Sequence, residues 1–353
     1  PQSPEQRARE VKIMKSFFIG IRPLAGACLL AAVALPGAAQ AQDLKPLTVV
    51  VPNPSALNIF PLHVADAEGY FAAEGLDVTV EVVNGSATVL QTLAAGQAQI
   101  GQPGPGPLLA ARERGEDIVF LYNYWPKSVF GLVVKEGSEV ATPSDLKGKT
   151  IGVGTADGAE VGFTRAILSK DGLEEGRDYE FLTVGDGGTA VAAFMSDEID
   201  AYAAAVADAA IIEARGIPLT EITPDEFLAY FGNGWAATRS YIDANPDVIE
   251  GFGRAMVKGT RFGLDPANTE AVLAHTAAAN PQEGEDAGLA AAMLETMRDR
   301  VTPIDTANAF GYQPPEHWKL WQDAQVATQA LSAPLPDLSA AYTNDFVERW
   351  NAQ

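Results

Sequence analysis

The sequence predicts an α/β fold made of two successive strand-and-helix units followed by a helical return. Three observations carry this. From 47 to 124, short β-branched runs alternate with helical segments of about ten residues, the pattern of strands joined by crossover helices in a mostly parallel sheet. The alternation restarts near 142 and runs past Asp208. Beyond Trp235 strand signals fade, and Pro246, Pro266, Pro281, Pro314 and Pro315 punctuate a largely helical stretch.

The elements follow in order. Leu47–Val51 is a β-branched run ended by Pro52 and Pro54, and 59–68 is helical. Apolar and polar residues alternate through 76–83, as in a half-buried strand. A helix over 88–95 follows, with Ser86 as its expected N-cap. A short strand at 100–102, a helix at 107–114 and a strand at 118–124 complete the first unit. In the second unit, Thr142–Leu146 reads as a capped turn and 149–154 as a strand. Residues 161–170 form a helix with Phe163, Ala166 and Ile167 on one face. A strand at 179–184, a helix from 187, a strand at 200–203 and a helix from Asp208 follow. If the helical return packs on the first unit, the chain crosses twice between two lobes, with a hinge near 127–137 and 228–236. Small ligands bind in such clefts, at the carboxyl ends of parallel strands.

Residues 14–41 read as a secretory signal peptide: Met14 and Lys15, an apolar run over 19–35, then Ala39-Gln40-Ala41 as a small-x-small cleavage site. The run is too short and too interrupted for a permanent membrane span. Cleavage near Ala41 delivers the chain to the periplasm. The rival reading lipidates Cys28, but the apolar run continues past it. Residues 1–13 precede a plausible start Met and are expected to be a start-site or cloning extension.

Cys28 is the only cysteine, so the cleaved chain has neither disulfides nor thiol chemistry. Without 1–41, which hold five basic and two acidic residues, 19 basic and 44 acidic remain, a net charge of −25. That surface repels nucleic acid and anionic lipid, and it serves solubility. His63, His275 and His317 are far apart, so no metal site is expected. Trp318 and Trp321 read as helix packing.

Several segments resemble a known family. They are 61–78 with its Gly69-Tyr70-Phe71 and Glu74-Gly75-Leu76-Asp77-Val78, then 91–101, 145–153, Asn245-Pro246-Asp247-Val248 and Tyr342-Thr343-Asn344-Asp345-Phe346. Together they are similar to the thiamine-pyrimidine, nitrate, sulfonate and taurine group of ABC-transporter substrate-binding proteins. The resemblance covers nearly all of 47–350. It implies a bilobal type II periplasmic-binding-protein fold, with two α/β lobes and a ligand cleft between them. Lobe 1 would comprise 42–130 and 235–353, and lobe 2 would comprise 131–234. It further implies a monomer that binds a small molecule, hands it to ABC permease subunits, and needs no cofactor and performs no catalysis.

Candidate ligand contacts sit at strand ends. After the first strand, Asn53 and Ser55, followed by Leu57, face a ligand or cap the next helix. Gln102, Pro103 and Gly104 form a rigid turn where backbone approaches closely, and Gln102 both donates and accepts. Tyr124 and Trp125 end a strand near the hinge; Trp125 is the preferred stacking residue, and hinge packing is its alternative role. Asp157, Gly158 and Ala159 open a helix, with Asp157 as N-cap. Asp157 and Glu160 bring negative charge to that helix N-terminus and disfavour an anionic headgroup. Asp186, Gly187 and Asp208 complete the set; the acids meet an amine or ring N–H, or are merely solvated. The residues tilt toward an aromatic heterocycle such as a pyrimidine, neutral or weakly cationic. Sulfonate, taurine, nitrate or an aromatic carboxylate is the alternative. Outside transport, the rivals are a pyrimidine-precursor enzyme on the same fold and a ligand-sensing receptor subunit.

Overall fold

A computed structural model describes residues 44–352, apart from 229 and 306. The segments 1–13 and 14–41, with Cys28, lie outside the described residues. Ten strands occur among the described residues: β1 (Lys45–Val51), β2 (Leu76–Val82), β3 (Ile100–Gly101), β4 (Ile118–Tyr122), β5 (Phe130–Lys135), β6 (Thr150–Val153), β7 (Glu180–Thr183), β8 (Ala201–Ala205), β9 (Leu219–Glu221) and β10 (Trp235–Thr238). They form two five-stranded sheets, ordered β2-β1-β3-β10-β4 and β7-β6-β8-β5-β9. Helices surround both, giving the bilobal α/β architecture expected.

Both sheets are mostly parallel, as expected, but each carries one reversed strand that the sequence did not indicate. In the first, β1 is parallel to β2 and β3, with Val49 opposite Val80 and Ile100. β10 enters antiparallel, with Ala236 facing Gly101 and Phe120. In the second, β6 is parallel to β7 and β8, while β5 runs antiparallel to β8 and β9. The reversed strands have one cause. β5 and β10 each arrive from the other sheet through an irregular crossing rather than a crossover helix, so no right-handed βαβ unit fixes their direction.

Those strands were also the hardest to read. β10 is Trp-Ala-Ala-Thr and is almost wholly buried, so it shows no alternation. β5 occupies most of the expected hinge segment 127–137. The chain leaves the first sheet after Tyr122, joins the second at Phe130, leaves it after Glu221 and returns at Trp235. The crossings are therefore 123–129 and 222–234.

The helical return covers the first sheet. Helix Pro246–Leu264 buries Val248, Ile249, Phe252, Ala255 and Met256 along one stripe, and packs on helix Phe60–Ala67. Trp318 and Trp321 are fully buried. Trp318 stacks on Tyr342 with ring centroids 5.2 Å apart and donates its indole N–H to Gln313. No helix among the described residues is long and apolar enough to cross a membrane.

Candidate functional site

A cavity of about 690 Å³ lies between the two sheets. That is within the roughly 300–1,000 Å³ typical of small-molecule sites. The loops that follow β1, β6 and β7 and the end of β8 line it. Strand carboxyl ends from both sheets thus face one space. Protein closes it on two sides. Gly104 abuts Ala159, where a Cβ on Gly104 would stand 2.6 Å from that of Ala159, and helix Val206–Ala214 packs on helix Ala287–Val301.

The wall from the first sheet is polar and pre-set. Asn53 Oδ1 accepts the Ser55 N–H, and Ser55 Oγ accepts the Asn58 N–H, so this loop caps its own helical turn while lining the cavity. Ser86 lies within helix Gly85–Ala94, which starts two residues earlier than an N-cap role at Ser86 requires and has Asn84 at its N-cap position. Its buried Oγ accepts the Gly104 N–H at 3.1 Å instead. Gly85, at φ +79°, bends the chain into that helix, and a Cβ there would press on Thr155 and Asp157 at 3.3 Å.

Trp125 lines the cavity with 4% of its surface exposed. Its indole N–H has no partner among the described residues. Asn58 and Asn233, also buried and cavity-lining, each leave Oδ1 unpaired. Buried polar atoms without partners are few in folded proteins. Here one donor and two acceptors are carried by three side chains of a single cavity lining.

The wall from the second sheet is acidic. Glu160 Oε1 accepts the Thr155 N–H at 3.1 Å, and Asp208 Oδ1 accepts the Gly187 N–H at 3.2 Å. The Tyr202 hydroxyl donates to the Gly185 carbonyl at 3.1 Å, beside Asp186. Burial pushes Glu160 up to about 7, and Asp186 and Asp157 add to the rise. Burial, then Asp186, pushes Asp208 up to about 8. Asp186 opens to the cavity, yet the protein around it raises its carboxyl too. Glu283, Glu285 and Asp286 add three further acids from the helical return, against Arg215 as the one lining base. Among the described residues no cluster of His, Cys, Asp and Glu is arranged to hold a metal ion.

Asn53, Ser55, Trp125, Gly158, Ala159, Asp186, Gly187 and Asp208 are therefore brought to one cavity. Others are not. Leu57 is fully buried core, because the turn that presents Ser55 rotates the next apolar residue inward. Gln102 is buried behind the wall, where its carbonyl accepts from Asn233 Nδ2. Pro103 and Gly104 serve packing behind the same wall: Pro103 accepts the Gly234 N–H, and Gly104 meets Ala159. Tyr124 donates its hydroxyl to the Asn58 carbonyl at 2.9 Å and lines a separate, water-sized void of about 30 Å³. Asp157 is exposed and does not cap; Gly158 holds the N-cap position, and Glu160 bonds the preceding loop.

Sequence reasoning did not single out Asn58, Asn233, Tyr202, Glu283 or Asp286 as ligand contacts. Tyr202 is the second residue of β8 and Asn233 precedes β10, so neither follows a strand's carboxyl end as the chosen residues do. Glu283 and Asp286 come from the helical return, where Glu283 accepts the Leu57 N–H at 2.9 Å across 226 residues. No local pattern marks that contact.

Residues 56–269 match the model of the NMT1/THI5-like family. The chain is 27% identical to a riboflavin-binding protein of Chloroflexus aurantiacus, over 89% of this chain and 90% of that protein. It is 25% identical to a formylaminopyrimidine-binding protein of Halalkalibacterium halodurans, over 88% and 94%. The fold is that of an alkanesulfonate-binding protein from Xanthomonas axonopodis pv. citri solved with MOPS, at a TM-score of 0.66 and 20% identity, over 84% of this chain and 98% of that one.

Proposed function

Because this chain belongs to the NMT1/THI5-like family, we propose that it is the extracytoplasmic solute-binding subunit of an ABC importer. Lobe 1 (42–130 with 235–353) and lobe 2 (131–234) close on one small molecule, and the closed form is presented to the permease. Residues 14–41 direct export and are removed, leaving a monomer in the periplasm. The protein binds and releases; it does not catalyse.

The ligand in this reading is a planar nitrogen heterocycle of pyrimidine to flavin size. One observation carries it. Trp125, Asn58 and Asn233 place a buried aromatic ring, an unpaired donor and two unpaired acceptors on one cavity wall. A heterocycle edge satisfies donor and acceptor together while its face stacks. Taurine, a sulfonate or nitrate suits the cavity less well, since six acids against one Arg215 oppose an anion. The relatives named for riboflavin and formylaminopyrimidine lend the same direction.

A thermal-shift screen tests the reading. A ligand that binds only the folded state raises the melting temperature, by about 2.7 kcal/mol of stability at a hundredfold excess over Kd. Riboflavin, aminopyrimidines, taurine, alkanesulfonates and nitrate form the panel. A shift with a heterocycle and none with the anions is expected. The reverse pattern overturns the reading.

A further inference from the structure

The two walls of the cavity differ in kind. One offers neutral donors and acceptors, the other almost only acceptors. Glu160, Asp186 and Asp208 line one part of the cavity, and a Cβ on Gly154 would meet both Asp186 Oδ1 and Glu160 Oε1; Asp186 adds to the proton affinity of the other two. Asp157 and Tyr202 stand beside them, and Arg215 lines the same space. No ion pair is formed between Arg215 and these acids among the described residues, so the cluster is not neutralised from within. Nor is the cluster arranged as a metal site.

Acid clusters on protein surfaces are usually solvated and silent. This one differs because it lines the same cavity as three buried side chains that each carry an unpaired polar atom. Trp125, Asn58 and Asn233 are each more than nine-tenths buried, each has an unpaired polar atom, and all line the same cavity. A ligand held by that wall must present its far side to the acids. A neutral acceptor there is met by a donor only while a carboxyl keeps its proton, and by acceptors alone once the acids ionise. A protonated nitrogen meets three complements and removes their mutual repulsion.

We propose that Glu160, Asp186 and Asp208, with Tyr202, form a cation subsite that takes a protonated amine or amidine carried by the planar ligand. This rests on the heterocycle reading above and narrows it to ligands with a positive charge opposite the Trp125 wall. Binding then displaces protons held by the carboxylates, and affinity rises with pH as those carboxylates ionise.

The matched probes are 4-amino-5-aminomethyl-2-methylpyrimidine, an ammonium at neutral pH, and its neutral 5-hydroxymethyl counterpart. Calorimetric titration of the exported chain with each, and with riboflavin and taurine, tests the proposal. The ammonium compound is expected to bind about tenfold or more tightly than the hydroxymethyl one, the scale of a charge-assisted hydrogen bond. Asp208→Asn and Glu160→Gln, each checked for folding by circular dichroism, should narrow that preference several-fold. Equal or tighter binding of the hydroxymethyl compound or of riboflavin overturns the cation subsite and leaves the heterocycle reading standing. Failure of the ammonium compound to bind also overturns the subsite. Binding of taurine alone overturns both.

Discussion

Gly232 donates its backbone N–H to the Trp125 carbonyl at 2.8 Å. The bond joins the two segments that cross between the sheets. The contact is also steric: a Cβ on Gly232 would lie 3.1 Å from Trp125 Cε3 and 2.8 Å from Val129 Cγ2. The side chain that lines the cavity is thus anchored where the lobes are joined, so hinge packing and a place on the cavity wall are not alternatives for Trp125.

Trp125→Ala is expected to weaken ligand binding by about 1–3 kcal/mol, by analogy with aromatic–base stacking, or roughly five- to 150-fold in Kd. Being buried, the residue should also lower the melting temperature. Trp125→Phe separates the parts, since it keeps a stacking face and loses the indole donor. Titration and thermal unfolding of both variants check this. Unchanged affinity in a destabilised Trp125→Ala would reduce Trp125 to hinge core and bring the sulfonate or nitrate reading forward.

Ser86→Ala should be destabilising out of proportion to its size. Ser86 Oγ is the acceptor for the buried Gly104 N–H. Without it that donor stays unpaired, a loss of about 1–3 kcal/mol. Urea unfolding measures it. A change within about 0.5 kcal/mol, the range of ordinary surface substitutions, would mean the amide finds another partner.

Much of this architecture was legible in the chain. The alternation from 47 to 124 and from 142 onward fixed two α/β units, because parallel strands and their helices leave periodic patterns. The capped turn at Thr142–Leu146 was equally clear, and Asp145 Oδ2 accepts the Thr142 N–H at 2.9 Å. What failed was non-local. The direction of β5 and β10 depends on which sheet the chain returns to, and no window of residues records that. Leu57 and Ser55 are two residues apart, yet one is core and the other cavity wall. Only the handedness of the intervening turn decides which.

Gly104→Ala should hold the lobes apart. Its Cβ would stand 2.6 Å from that of Ala159 and 3.1 Å from Asn233 Oδ1. Neither Cβ can swing aside, so the backbones must separate. Small-angle scattering of the wild-type protein should show a smaller radius of gyration with saturating ligand, as in hinge closure. The variant should show less contraction and weaker binding. A wild-type radius that does not change on confirmed binding would remove the clamp.

The acid wall makes stability depend on pH in an unusual direction. Asp208 is pushed up to about 8 and Glu160 to about 7, both chiefly by burial. The ordinary values are 3.8 and 4.5. Between the ordinary and the raised value, the folded chain keeps a proton that the unfolded chain has released. The unfolded state then binds fewer protons, and the slope of unfolding free energy with pH is negative. These two groups therefore make the ligand-free protein less stable as pH climbs from about 4 to about 8. Elsewhere in the chain, Glu74 is held low by Arg254 and Lys258 and contributes the opposite trend near pH 4. Asp208→Asn removes the largest part of the negative slope, and its amide oxygen can still accept the Gly187 N–H. Its melting temperature should exceed that of the wild type at pH 8 by several degrees, at roughly 2–4 °C per kcal/mol. The gap should shrink toward pH 5, where the wild-type carboxyl is protonated as well. Scanning calorimetry at four pH values reads both trends. A variant less stable than the wild type at pH 8 would mean that Asp208 is held ionised by a donor, and the acid wall would then be a structural acceptor set.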